Sequence, residues 1–282
     1  MAGKSKDRTD PANSPVKKVA GMSAALVRYT EQDASLAGMD EYRILPRLKI
    51  IQAMADPALK EKFGEGTAII RPGDAEVWRK NDEAFAFVPA LFVVEFAQWA
   101  DPNDSESNTI IKRTFDPTSE LAKKARDPEK RIEPYKLGSE QKYRYVEHLR
   151  FYGQIYGDIH PLSGTPVVLS FERGEFTQGK NFISAIKLRR QPVQTDSGTR
   201  IVPVPLWAQI WSLSVGFRDR AKDRRWYGFD FASPEISIIK DEQVEEFHKL
   251  HLELKELQEK NRLMVDEQDR DVAATPADSK EF

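Results

Sequence analysis

The segment that most restricts the fold is the run from Phe85 to Phe96, Phe-Ala-Phe-Val-Pro-Ala-Leu-Phe-Val-Val-Glu-Phe, the most apolar in the chain. Its aromatic and β-branched side chains suit a pleated surface better than a helix. Pro89 cannot donate to a ladder, so it predicts a core strand with an irregularity at that point. A chain holding such a strand needs a sheet, and its neighbours supply one. Strands are expected over Thr67–Ile70, Phe85–Trp99, Thr109–Phe115, Pro166–Phe171, Trp207–Phe217, Trp226–Phe231 and Ile236–Ile239, and the aromatic, alternating stretch Tyr143–Tyr156 reads as a strand or an amphipathic helix. The stretch from Arg43 to Ala53 reads as a strand or turn broken by Pro46.

Helices punctuate this pattern. Asp56-Pro57 opens one, with Pro57 at the favoured first position, and Gly64 and Gly66 end it. Ser119 to Arg126 forms another, stopped by Asp127-Pro128. Gly174 to Arg190 and Asp241 to Val265 complete the set, with a turn over 191–200 around Asp196-Ser197-Gly198. Short strands with helices between them predict an α+β fold: an OB-like β-barrel or a curled antiparallel sheet with inserted helices. The expected organisation is a mobile arm over 1–40, a domain over 41–240, a long C-terminal helix over 241–265 and a disordered acidic tail over 266–282.

Composition narrows the function. The 282 residues are 40% hydrophobic and include no cysteine, which excludes disulfides, thiolate zinc sites and cysteine nucleophiles. No apolar run reaches the roughly eighteen residues of a membrane span. The basic N-terminal residues have no apolar stretch, so no secretory signal is read there and a cytoplasmic location is expected, in a bacterium or an infected one. The net charge of −2 conceals a polarised distribution: residues 112–150 carry eleven basic and seven acidic side chains, whereas 266–282 carry two and six. Residues 172–190 and 218–226 each carry five basic and two acidic.

Three basic features point to a polyanion. If 141–156 is a strand, one face carries Tyr143, Tyr145, Leu149, Phe151 and Ile155, and the other Lys142, Arg144, His148, Arg150, Tyr152 and Tyr156. A cationic, aromatic face suits single-stranded nucleic acid, because cations follow phosphates and rings stack on unpaired bases. The loop between the last two long strands places Arg218, Arg220, Lys222, Arg224 and Arg225 beside Trp226 and Tyr227. Lys180 follows Gly179 on the predicted helix, without the spacing of a P-loop. The expected contacts are thus Lys142, Arg144, Arg150, Tyr152, Tyr156, Lys180, Arg218, Arg220, Arg224, Arg225 and Trp226. No catalytic residue, metal or cofactor is expected. His248 and His251 stand near Glu245 and Glu246, but no third ligand can be named.

Pro46-Arg47-Leu48-Lys49, Phe87 to Glu95, Pro205-Leu206-Trp207-Ala208 and Trp226-Tyr227-Gly228-Phe229 together resemble phage single-stranded DNA-binding proteins over roughly residues 43–231. The resemblance implies an OB-type barrel, no catalysis and sequence-tolerant coating of single strands in replication or recombination. It also implies a docking role for the acidic tail, in which Phe282 fills a pocket on a partner enzyme and Asp278 and Glu281 meet its basic rim. A second reading is a virion-associated or structural assembly protein. Phe247, Leu250, Leu254, Leu257, Asn261 and Met264 alternate steps of three and four, a seam able to join copies through residues 247–264.

Overall fold

The computed structural model describes residues 44–100, 110–134, 142–157, 160–195, 198–219, 225–260 and 262–265. Two strands of 15 residues each, β5 (Phe85–Trp99) and β8 (Lys142–Tyr156), form the antiparallel spine of a ten-stranded sheet. On one side of the spine stand β12 (Trp211–Asp219) and β13 (Arg225–Ala232). On the other stand β9 (Pro166–Phe171), β2 (Arg47–Ile50), β3 (Ala68–Arg71) and β4 (Ala75–Trp78), in that order. Short β6 (Ile110–Thr114) pairs with β5, and β7 (Ile132–Pro134) with β8. All these pairs are antiparallel except β2 with β9.

The apolar continuity of Phe85–Phe96 has a simple cause: the spine is buried on both faces, as near-continuous hydrophobic strands usually are. On one face Leu149, Phe151 and Phe171 pack under the helix α3 (Phe176–Leu188). Phe182 of α3 lies 4.8 Å from Phe151 and 5.1 Å from Trp211, ring centre to ring centre, and is fully buried. A side chain at Gly179 would collide with Phe171 and Leu149, so the helix approaches this closely only with glycine there. On the other face Leu91, Val93 and Tyr152 pack against Leu254 of the helix α4 (Val244–Glu259). Two shorter helices, α1 (Pro57–Phe63) and α2 (Glu120–Arg126), are capped by Asp56 and Ser119, whose side chains accept from Ala58 and Ala122 amides.

The irregularity expected at Pro89 is a bulge in the β5–β8 register between Pro89 and Leu91. Opposite it, Gly153 is obligatory, because a Cβ there would lie 2.1 Å from the Val88 carbonyl oxygen. His251 of α4 donates from Nδ1 to the Ala90 carbonyl at 2.8 Å, satisfying the group at the bulge and tying the helix to the strand.

Four expectations are corrected. The sheet does not close into an OB-type barrel: among the described residues its path runs from β13 to β4 with no pairing between them. A small barrel buries one face, whereas this spine buries two and the sheet stays open. The heptad seam is not a free surface. Phe247 and Leu254 are buried and Leu250 and Leu257 half-buried against the chain's own sheet, while Met264 lies in the short strand β14 (Met264–Val265) beside β1 (Ile44–Leu45). Residues 191–200 are more than a turn: β10 (Arg190–Thr195) and β11 (Gly198–Pro203) make a two-stranded ribbon of their own. Ile236–Ile239 contributes a single bridge, Gln209 to Ile238, rather than a strand. The arm over 1–40 and the tail over 266–282 lie outside the described residues.

Candidate functional site

Four segments remote in sequence bring Arg126, Arg131, Arg144, Arg173 and Lys180 around one cleft of about 700 Å3. The first wall is built by α2, whose Ala122 and Ala125 pack on Phe96 and Tyr145 and so leave Arg126 exposed at its last position. Asp127 ends the helix ahead of Pro128, and the chain returns through the exposed Arg131 into β7. Pairing of β7 with β8 then sets Ile132 opposite Arg144. The second wall follows β9, where the backbone turns through Arg173 at φ 47° before α3 presents Phe176, Thr177 and Lys180.

The carboxylates at this site are neutralised. Glu147, in the lining, accepts from Arg126 at 3.2 Å, and the same guanidinium lies 4.7 Å from the Phe96 ring centre. Glu133 accepts from Lys124 and from the Tyr145 hydroxyl, the latter at 2.7 Å. The hydrogen bond from Lys124 holds the Glu133 carboxyl below its ordinary range, and burial raises the Tyr145 phenol. Burial pushes the Glu172 carboxyl up, but His148 at 3.1 Å, with Arg47 and Arg173, outweighs it and holds the group well below the carboxylate range. What the cleft offers a ligand is therefore positive charge beside the apolar surfaces of Ile132 and Phe176.

The hairpin β12–β13 supports the second wall. Trp226 donates from Nε1 to Glu175 Oε1 at 2.7 Å, and Arg218 Nε lies 3.4 Å from the same oxygen. Arg218 also reaches Asp230 at 2.8 Å and the Phe229 carbonyl at 3.1 Å. Burial works against the Arg218 charge, but these acceptors more than compensate and raise its pKa. Gly228 has no side chain where Glu175 sits: a Cβ would lie 2.2 Å from the carboxylate. Gly174 likewise leaves room for the Trp226 ring. The turn that carries Arg173 is thereby fastened to the hairpin. Such left-handed backbone at a non-glycine residue costs on the order of 1–3 kcal/mol and persists only where its surroundings hold it.

The sequence-predicted contacts divide accordingly. Arg144 and Lys180 line the cleft, and Lys142 is exposed at the start of β8. Arg150 and Tyr152 are corrections: both are fully buried, Arg150 in an ion pair with Glu95 at 3.1 Å. Tyr156 is half-buried and donates to Gln243 Oε1 at 2.6 Å, anchoring the approach to α4. Trp226 and Arg218 are engaged by Glu175, and Arg225 is exposed, 3.3 Å from Asp219. Arg220 and Arg224 lie outside the described residues, as do Asp278, Glu281 and Phe282. Arg126, Arg131 and Arg173 were not singled out in the sequence, although the basic excess over 112–150 and 172–190 contains all three. His248 lies tilted against the Trp207 ring, 5.1 Å from centre to centre, and His251 serves the Ala90 carbonyl, so both have packing roles.

Sheet and cleft together define an α+β protein with a cationic groove at the flank of an open sheet. A family described as Pam3 phage gp34-like protein matches residues 17–260, and the chain belongs to this phage family. No curated protein and no solved structure matches it. Among the described residues no helix is long and apolar enough to cross a membrane.

Proposed function

We propose that this phage protein binds single-stranded nucleic acid through the cleft, without strong sequence preference, and coats it during replication or recombination. The observation that carries the reading is the cleft itself: five cations converge there against one carboxylate, Glu147, which pairs with Arg126 and leaves the lining strongly positive. Phosphates are matched by the guanidinium and ammonium groups, and the apolar surfaces of Ile132 and Phe176 suit bases that are not stacked in a duplex. Binding and protection need no reaction at the site, and DNA is the expected strand. The acidic residues 266–282 belong to the same reading as a docking peptide for replication or recombination proteins, supported by their composition.

The test is charge reversal at three exposed positions, Arg131→Glu, Arg173→Glu and Lys180→Glu in one protein. Fluorescence anisotropy with a labelled oligothymidylate should show a loss of affinity of at least about tenfold at low salt. The log–log salt slope should shrink by about 2, at roughly 0.7 per phosphate contact on a single strand. Arg131→Glu and Lys180→Glu should each cost within about 0.5 kcal/mol as surface substitutions, whereas Arg173→Glu also removes a cation that faces Glu172 and lowers the melting temperature, so affinity is compared per folded molecule. Unchanged affinity, or parent binding that ignores salt, overturns the proposal.

A further inference from the structure

The cleft leaves unused the element that leads away from it. Along α3, Thr177, Lys180, Ser184 and Lys187 follow steps of three, four and three and are all exposed, so they form one outer stripe. Arg173 precedes this stripe and the ribbon follows it. From Phe176 to Pro203 the sequence carries Lys180, Lys187, Arg189, Arg190 and Arg200 against one acidic residue, Asp196. Arg189 alone of these turns inward. It donates to the carbonyls of Ile210 and Ser237, both at 2.8 Å, and stacks 3.9 Å from the Trp211 ring centre, which pins the junction between helix and ribbon.

Beyond that pin, β10 and β11 pair only with each other and are exposed along almost their whole described length. A lone two-stranded hairpin is marginal in water. This one also leaves Ile201 70% and Val193 40% exposed, so it is built to be covered. Over 190–203 the sequence carries Arg190 and Arg200 against the single Asp196, and this basic excess favours a polyanion over an acidic-and-basic protein surface.

We infer that α3 and the ribbon extend the cleft into one continuous track for single-stranded nucleic acid, which covers the ribbon. This rests on the reading of the cleft given above. The thirteen residues of α3 add about 20 Å at 1.5 Å each, and a six-residue ribbon strand about 20 Å more at 3.3 Å each. In the β10–β11 register Arg190 and Ile201 stand on one face and Arg200 and Val193 on the other, so each face offers the strand one cation for a phosphate and one apolar side chain for a base.

The experiment uses the full chain, a ribbon variant (Lys187→Glu, Arg190→Glu, Arg200→Glu) and oligothymidylates of about 8 and about 40 nucleotides, the first within and the second well beyond the roughly 4–16 nucleotides that one binding module spans. The ribbon variant should bind the short strand like the parent. On the long strand it should lose about tenfold in affinity and about 2 in salt slope. Hydrogen exchange in the parent should slow over 190–203 when the long strand is added, and not with the short one. If the variant matches the parent on the long strand and exchange over 190–203 is unmoved, the track is overturned while the cleft reading stands, since that depends on the cleft variant and the short strand. If 190–203 is protected by raising protein concentration without DNA, the ribbon is a contact between copies and the track is again overturned. A parent protein that binds neither strand removes the cleft reading and the track together.

Discussion

Arg150 illustrates how a residue chosen for binding becomes a structural charge. On β8 it faces the side of the spine that α4 and the short β1–β14 pair help to cover, and Glu95, across the strand pair, supplies its counter-charge at 3.1 Å. Neither side chain reaches solvent. Removing one partner of a buried pair leaves an uncompensated charge and costs about 3–5 kcal/mol, whereas replacing both by apolar groups is often neutral. Arg150→Met should therefore lower the melting temperature sharply, and Arg150→Met with Glu95→Leu should recover most of the loss. Affinity for DNA, measured per folded molecule, should be unchanged in either; a large loss of affinity in the stable double variant would return Arg150 to the binding surface. Glu172 adds a pH dependence. Its folded-state pKa is depressed, so its contribution is present above the unfolded carboxylate value of about 4.3 and is lost as pH falls below it. Melting temperature should fall between about pH 5 and pH 3, and Glu172→Gln should flatten that fall. A variant whose pH profile superimposes on the parent's would show that other groups are responsible.

At the scale of elements, the far half of the β12–β13 hairpin is held by a side chain acting as a strand. The Gln52 carboxamide donates to the Tyr227 carbonyl at 2.8 Å and accepts from the Tyr227 amide at 2.9 Å, while the Tyr227 ring occupies the space that a Cβ on Gly66 would need. Gln52→Leu removes both hydrogen bonds, each contributing about 1 kcal/mol net, so a destabilisation of about 1–3 kcal/mol is expected, with faster amide exchange at Tyr227. Unaltered exchange at Tyr227 would show that the hairpin holds its place without Gln52. No local pattern announces this bond, because its partners stand 175 residues apart. What was legible rests on local chemistry: the Asp56 cap, the stop at Asp127-Pro128 and the Pro89 irregularity all appear where the sequence puts them. The ribbon was not legible, since Pro192 and the polar residues around it read as loop. Burial of the second face of β8 was hidden for a related reason. Its alternation of rings and cations describes an exposed strand unless Glu95 and Glu172, brought by other segments, are known to be opposite. The cleft was half legible, as a basic excess whose members only the β7–β8 register and the Arg173 turn bring together.

At the scale of the whole molecule, the question is whether α4 joins copies of the chain or completes one. Phe247 and Leu254 are 1% and 4% exposed, packed on Val88, Ala90, Leu91 and Val93 of the spine, and His251 bonds the bulge from the same helix face. An amphipathic helix has one apolar face, and here the sheet already occupies it. Leu254→Ala should then act as a core truncation, costing about 2–5 kcal/mol through lost burial and the cavity left behind. That cost is intramolecular, so it should not depend on protein concentration. Had the seam joined two chains, folding would be linked to association and the melting temperature would rise with concentration. Thermal unfolding of parent and Leu254→Ala over about a hundredfold range of concentration separates the two. The expected result is a constant offset between the proteins and flat melting temperatures for both. Because association stabilises by mass action, an interface carried by the seam would raise the parent's midpoint steadily across that range, and Leu254→Ala would abolish the rise. That outcome would contradict the intramolecular role of α4 and restore the assembly reading of the helix.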